Sequence, residues 1–115
     1  MPKTDNPLYE LQLAENRNSV WIHSLVDGST VGRFGRFGID LHTTLTEQRE
    51  GASECRLCTH GRTTPSDWAL FREKAMEWWG VEIPEDAFNL ALLIPDSAAP
   101  DAPLHARANL SLIHI

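Results

Sequence analysis

The chain has 115 residues, a net charge of −6 and an apolar fraction of 42%, which suits one small globular domain. The acidic balance argues against a whole-surface electrostatic footprint for nucleic acid or for an anionic membrane. Two cysteines are too few for a secreted disulfide framework, and the sequence shows neither a signal sequence nor an apolar run of about 18 residues. We therefore expect a cytoplasmic protein without a membrane partner.

The first 18 residues give only a weak structural signal. They are largely polar and contain two prolines, and apolar and polar residues alternate weakly over 8–13. We expect residues 1–18 to form a poorly ordered lead-in or an edge strand.

Three segments rich in β-forming residues follow. Residues 20–26 lead into Asp27-Gly28, a hairpin signal because both positions tolerate positive φ. Residues 29–34 return as a second strand, and 35–42 provide a third. We predict a β-hairpin or three-stranded antiparallel sheet as the N-terminal part of one α+β domain over 19–94.

One amphipathic helix is predicted to pack on this sheet. Thr64 is a natural N-cap, Pro65 suits the first helical position, and Gly80 suits the end. One helical face carries the apolar residues between these limits: Trp68, Phe71, Ala75, Trp78 and Trp79. A helical turn is also predicted after Thr44, with Glu47 completing a capping box.

The C-terminal part is expected to lose regular structure. Residues 88–94 are predicted to be a strand or a segment that packs on the helix, and the Pro-, Ala- and Asp-rich stretch 95–115 is predicted to be disordered. The last six residues, 110–115, read as the translation of a transposon end used in sequencing libraries. We therefore expect an assembled metagenomic fragment that lacks its native C-terminus.

The stretch between His42 and His60 contains the only two cysteines, Cys55 and Cys58, in a C-x2-C pattern. Structural zinc sites use four nitrogen or sulfur ligands in a tetrahedron. We predict a zinc knuckle held by His42, Cys55, Cys58 and His60, with His23 as the substitute for His42. The alternative is that both cysteines are ordinary small buried residues.

Catalysis is the less favoured interpretation. The sequence contains no H-E-x-x-H, G-x-S-x-G or deaminase-type zinc motif, so we assign no catalytic residue. A zinc ion with one open position, or a histidine acting with Asp40, would be needed for hydrolysis. A redox role for the cysteines is disfavoured because the predicted helix begins several residues later, at Pro65.

A nucleic-acid-associated module is the second hypothesis. Residues 33–62 carry five Arg and four acidic residues, against a net −7 elsewhere. The relevant arginines are Arg33, Arg36, Arg56 and Arg62. Arg and Phe also recur between the glycines of 32–38, a combination that can contact phosphates and stack on bases. A strand with Phe inside and Arg outside explains the same pattern and suits the acidic chain better.

Several of these motifs together resemble a set of small phage and prophage proteins without assigned activity. The matching segments span about Ser19–Val81: Val20–His23, Gly32–Phe34, Phe37–His42, Glu47-Gln48, the C-x2-C-T-H run ending at His60, and Trp68. The resemblance implies a phage-type origin and residence in the host cytoplasm. We expect a non-enzymatic module in which zinc is a structural staple and whose surface binds a protein partner.

Overall fold

The structure, a computed structural model, describes residues 8–98. Residues 1–7 of the predicted lead-in and 99–115 of the predicted tail, including the last six residues, lie outside the described residues.

Five strands form one antiparallel sheet in which each strand pairs with its neighbours in the chain. The strands are β1 (Tyr9–Leu13), β2 (Ser19–Ser24), β3 (Thr30–Gly35), β4 (Gly38–His42) and β5 (Cys55–His60). The predicted α+β class is confirmed, but the prediction of three strands was too low. The predicted strands correspond to β2, β3 and β4, and β1 and β5 add one strand at each edge.

The predicted C-x2-C knuckle is absent, because the segment that contains it forms strand β5. Leu57 and Thr59 point to the inner face of the sheet, where they pair with Leu41 and Ile39 of β4. Thr59 is buried and Leu57 half-buried there, a pattern that favours an extended strand over a compact metal-binding turn. Cys55 and Cys58 are joined by a disulfide.

Two helices begin with the caps that the sequence predicts. Helix α1 (Leu45–Arg49) has a capping box formed by Thr44 and Glu47. Helix α2 (Pro65–Trp79) begins with reciprocal hydrogen bonds between Thr64 and Asp67, and it ends at Gly80, whose φ of 65° is left-handed. Local hydrogen bonding therefore fixes both ends of α2.

Helix α2 packs on the inner face of the sheet around Phe34. The Phe34 ring centroid lies 4.9 Å from that of Trp68, 5.4 Å from that of Phe71 and 5.0 Å from that of Phe88. All four rings are buried. Burying one such side chain contributes about 1.5–3 kcal/mol, so this aromatic cluster is a main source of the attachment of helix to sheet.

The segment after α2 folds back over the same face in three short 3-10 helices, Glu85–Ala87, Leu90–Leu92 and Asp96–Ala98. The amide of Asn89 donates to the carbonyl of Arg17 at 2.8 Å, which holds this segment to the β1–β2 turn. Phe88 joins the core, so the predicted packing of 88–94 on the helix holds for this residue.

No helix or loop among the described residues packs on the outer face of the sheet. Its side chains are half-buried or exposed, whereas those of the inner face are largely buried. The outer face is therefore the surface on which polar and sulfur-containing side chains come together.

Candidate metal centre

A row of outward-facing residues crosses the whole sheet. The strand register aligns one residue from each strand, in the order Gln12, Trp21, Arg33, Asp40 and Cys58. Residues aligned in this way lie close enough for their side chains to interact. The row carries charge in its middle and sulfur at its β5 end.

Asp40, His42 and Cys58 form a cluster at that end of the row. One potential ligand atom from each lies within 4.8 Å of those of the other two, and all three residues are half-buried. Asp40 faces Cys58 across the β4–β5 pair, and His42 faces Cys55. Because Asp40 and His42 are two residues apart on a strand, both side chains project from the same face.

A β-bulge places both cysteines on this face. The register moves from Leu41–Leu57 to His42–Cys55, which leaves Arg56 without a partner on β4. In a regular strand, residues three apart point to opposite faces. Because Arg56 is the extra residue of the bulge, Cys55 and Cys58 point to the same face. Their Cα atoms lie 6.1 Å apart, a separation that a disulfide spans.

The sulfur atoms are oxidised in this structure. Cys55 Sγ and Cys58 Sγ are 1.99 Å apart, and Cys58 Sγ lies 3.9 Å from the carbonyl oxygen of Leu41. A thiolate, not a disulfide sulfur, is the form that ligates zinc. The cluster as it stands therefore offers one imidazole and one carboxylate, and reduction would add two thiols.

Arg33 orients the carboxylate of the cluster. Its Nε and Nη2 both donate to Asp40 Oδ2, at 3.1 Å and 2.9 Å. Both bonds end on one oxygen, so Oδ1 is not used by Arg33. A cavity of about 130 Å³ lies beside these groups, lined by Thr30, Gly32, Arg33, Asp40 and His42. An ion and its ligand side chains would have space to adjust there.

The structure brings together three of the four residues predicted as metal ligands. His42 and Cys58 belong to the cluster, and Cys55 is bonded to Cys58. His60 is exposed, lies opposite Gly38 and is outside the group of ligand atoms within 4.8 Å. Asp40, which the sequence connects only with a hydrolytic alternative, is the third member of the cluster.

His23, the predicted substitute for His42, is occupied by neighbouring side chains. Its Nδ1 is 3.0 Å from Thr30 Oγ1, and its Nε2 is 2.8 Å from Gln12 Oε1. It lies on β2, separated from β4 by β3. Both ring nitrogens are therefore engaged away from the cluster.

Asp40 could have been found from the pattern D-x-H at the end of a predicted strand. Such spacing puts a carboxylate and an imidazole on one face of a strand. Its position opposite Cys58 depends on the antiparallel register, and the sequence contains no local signal for that register.

Two of the four arginines of the nucleic-acid hypothesis are paired with carboxylates. Arg33 pairs with Asp40, and Arg56 Nη2 lies 3.1 Å from Glu47 Oε2 while its guanidinium sits 5.0 Å from the Trp78 ring centroid. Their charges are therefore partly neutralised within the protein. Arg36 and Arg62 lie at the other end of the sheet.

Comparison of the chain with protein-family models, curated proteins and solved structures found no match. Within residues 8–98, neither α-helix combines the length and apolar character that a bilayer span requires.

Proposed function

We propose that this protein is a small non-enzymatic module that binds one zinc ion on the outer face of its sheet when Cys55 and Cys58 are reduced. The observation that carries this proposal is the convergence of Asp40, His42 and Cys58, whose ligand atoms lie within 4.8 Å of one another. Carboxylate, imidazole and thiolate are all established zinc ligands.

Reduction supplies the remaining ligand. A phosphine reductant and one water molecule convert the disulfide into two thiols, and the phosphine becomes its oxide. Each thiol then releases a proton as it binds zinc. Cys55, opposite His42, completes a set of four with Asp40, His42 and Cys58.

The required movement is small. Metal–ligand distances of about 2.0–2.3 Å in a tetrahedron place ligand atoms roughly 3.3–3.8 Å apart. The donor atoms of Asp40, His42 and Cys58 already lie within 4.8 Å of one another. Side-chain rotations together with separation of the two sulfurs would bring all four into range.

Such a site would be structural rather than catalytic. Four protein ligands leave no open position for water or substrate, which a catalytic zinc requires. Two ligands come from β4 and two from β5, so the ion would join the edge strand to its neighbour. The ion would therefore act as a staple within the sheet.

Metal titration of oxidised and reduced protein tests the proposal. The protein is reduced with a phosphine, freed of reagent without oxygen, and titrated with zinc or with cobalt(II) as a spectroscopic probe. We expect one metal ion per reduced chain, with thiolate-to-cobalt charge-transfer absorption, and none per oxidised chain. The proposal would be overturned if the reduced protein did not bind one metal ion per chain.

Variants identify the ligands in the same titration. Cys58→Ser should lose tight binding, and any cobalt that it still binds should show a weaker charge-transfer band, because only the Cys55 thiolate remains. His60→Ala serves as the matched control, because His60 lies on the same strand but outside the cluster.

A further inference from the structure

The β3–β4 turn exposes an aromatic side chain that the core does not use. Arg36 and Phe37 form this turn between the paired residues Gly35 and Gly38. The Phe37 side chain is 62% exposed, whereas the chain's other three phenylalanines are buried in the core. An exposed aromatic ring at a hairpin tip offers a flat apolar surface to a ligand.

Two guanidinium groups lie close to this ring. Arg36 Cζ lies 5.4 Å and Arg62 Cζ 5.7 Å from the Phe37 ring centroid, both within the range of cation–π contact. Among residues 8–98, neither arginine takes part in an ion pair with a carboxylate. Within the described part of the chain, no carboxylate therefore neutralises the positive charge at this end of the sheet by direct contact.

Arg62 is held in place by the segment that follows α2. Its Nη2 donates to the carbonyl of Leu92 at 3.0 Å. The adjoining backbone is also fixed, because the amide of Gly61 donates to the carbonyl of Phe37 at 2.9 Å. Such anchoring lowers the conformational entropy that this arginine would lose on binding a ligand.

A cavity of about 290 Å³ adjoins the ring. It is lined by Asn18, Ser19, Arg33 and the turn residues 35–38. Its walls combine an aromatic face, guanidinium groups and hydrogen-bonding side chains. These groups suit a ligand with both a planar ring and a negative charge.

We infer that this end of the sheet binds single-stranded nucleic acid. A base stacks on the exposed part of the Phe37 ring and displaces the exposed Arg36 guanidinium from it, and Arg36 and Arg62 contact the adjoining phosphates. Stacking of this kind accepts any base, so little sequence preference is expected. The net charge of −6 opposes the approach of a polyanion, so binding is confined to this patch and its salt dependence is set by the two phosphate contacts. This site is separate from the zinc cluster and does not depend on it.

Fluorescence anisotropy with a labelled oligothymidylate of about 12 nucleotides tests this inference on the oxidised chain. At about 50 mM salt we expect saturable binding, with a slope of log K against log salt near −1.4, about 0.7 for each of two phosphate contacts. Phe37→Ala and Phe37→Leu should each raise Kd by about fivefold or more, because both remove the aromatic face. Arg36→Ala should bring the slope to about −0.7.

Matched controls separate this site from general charge and general apolar surface. Arg49→Ala removes an exposed arginine of α1, and Met76→Ala removes an exposed apolar side chain of α2. Both variants should bind as the unmodified chain does. Circular dichroism establishes that each variant is folded.

Three outcomes would overturn the inference. The first is that the oligothymidylate does not bind at about 50 mM salt. The second is that Phe37→Leu and Met76→Ala lose the same amount of affinity for it. The third is equally tight binding of a duplex of the same length, which would indicate phosphate attraction without stacking on a base. Zinc titration of reduced Phe37→Leu should give one ion per chain, so failure of this inference and failure of the zinc proposal are distinguishable.

Discussion

Asp40 of β4 lies directly opposite Cys58 of β5, and the ligand atoms of these two residues and His42 lie within 4.8 Å of one another. Two antiparallel strands thus bring a carboxylate, an imidazole and a sulfur onto one solvent-facing surface. The proposed zinc site depends on this register, which gives it direct mutational tests.

Replacing Asp40 by Asn should weaken zinc binding of the reduced protein by more than about 100-fold, because the substitution removes a charged ligand. Loss of a side chain that only hydrogen-bonds to a ligand already costs about 10–100-fold in affinity. His42→Ala should have an effect of the same size. Competition with a chromophoric chelator measures these affinities. If Asp40→Asn bound zinc normally and His60→Ala did not, His60 would replace Asp40 in the ligand set.

Replacing Arg33 by Met should lower zinc affinity by about 10–100-fold without changing the stoichiometry. Arg33 holds the Asp40 carboxylate in place through two hydrogen bonds to Oδ2. Without them the carboxylate is free to rotate, and fixing it when the ion binds costs conformational entropy. Arg49→Met is the control, since Arg49 is exposed on α1. Equal affinities in the two variants would show that Arg33 has no orienting role.

Gly38→Ala should destabilise the protein by about 1–3 kcal/mol, as other overpacked positions do. A Cβ at position 38 would collide with the carbonyl oxygen of Thr59, a backbone atom that cannot rotate away. Gly35→Ala is the matched control at the other end of the same turn, because a Cβ there meets nothing within 4 Å. Urea denaturation measures both, and equal stability of the two variants would contradict the close approach of β4 and β5.

Thr64→Ala should lower the free energy of unfolding by about 1–2 kcal/mol. The substitution removes the acceptor for the amide of Asp67 and a donor to its carboxylate, in a buried environment. Glu73→Ala, on the exposed side of α2, should change stability by less than about 0.5 kcal/mol. Chemical denaturation measures these differences. Equal denaturation midpoints for Thr64→Ala and the unmodified chain would show that the cap contributes nothing to stability.

Acid should remove a stabilising contact between the β2–β3 turn and α1. Hydrogen bonds from Ser29, and then from Thr46, hold the pKa of Asp27 well below its usual range. A carboxyl group with a lowered folded-state pKa stabilises the protein above its unfolded pKa of about 3.9, and this contribution is lost as pH falls below that value.

The variant Asp27→Ala isolates this contribution. At pH 7 it should melt at a lower temperature than the unmodified chain, and the difference should shrink as the pH is lowered below about 4. Thermal melts followed by circular dichroism over this range measure the difference. A difference that stayed constant with pH would show that the charge of Asp27 is not the cause.

Helix α2 was predictable because its signals are local. Thr64, Pro65 and Gly80 lie in the chain next to the backbone groups that they satisfy or the turn that they form, so their effect requires no knowledge of the rest of the fold. The Asp27-Gly28 turn is similar, with Gly28 at a φ of 74°.

Strand β5 was missed because the C-x2-C pattern also suits a metal-binding turn. Residues 55–60 show strand periodicity only at Leu57 and Thr59, and the bulge at Arg56 interrupts it. The choice between turn and strand is made by pairing with β4, a tertiary interaction.

The candidate site was predictable only in part. His42 and Cys58 could be selected as zinc-type ligands from residue type alone, and both lie in the cluster. Asp40 and the exclusion of His60 follow from strand register and the bulge, which depend on how the whole sheet pairs.

The sequential strand order also bears on how quickly the chain finds its fold. Each strand pairs only with the strand before or after it, so the sheet can grow by successive pairing of strands that are neighbours in the chain. Topologies dominated by contacts between chain neighbours fold faster than those that join distant segments. The attachment of α2 to Phe34 spans a longer stretch of chain, and we expect it to be the slower, committing step.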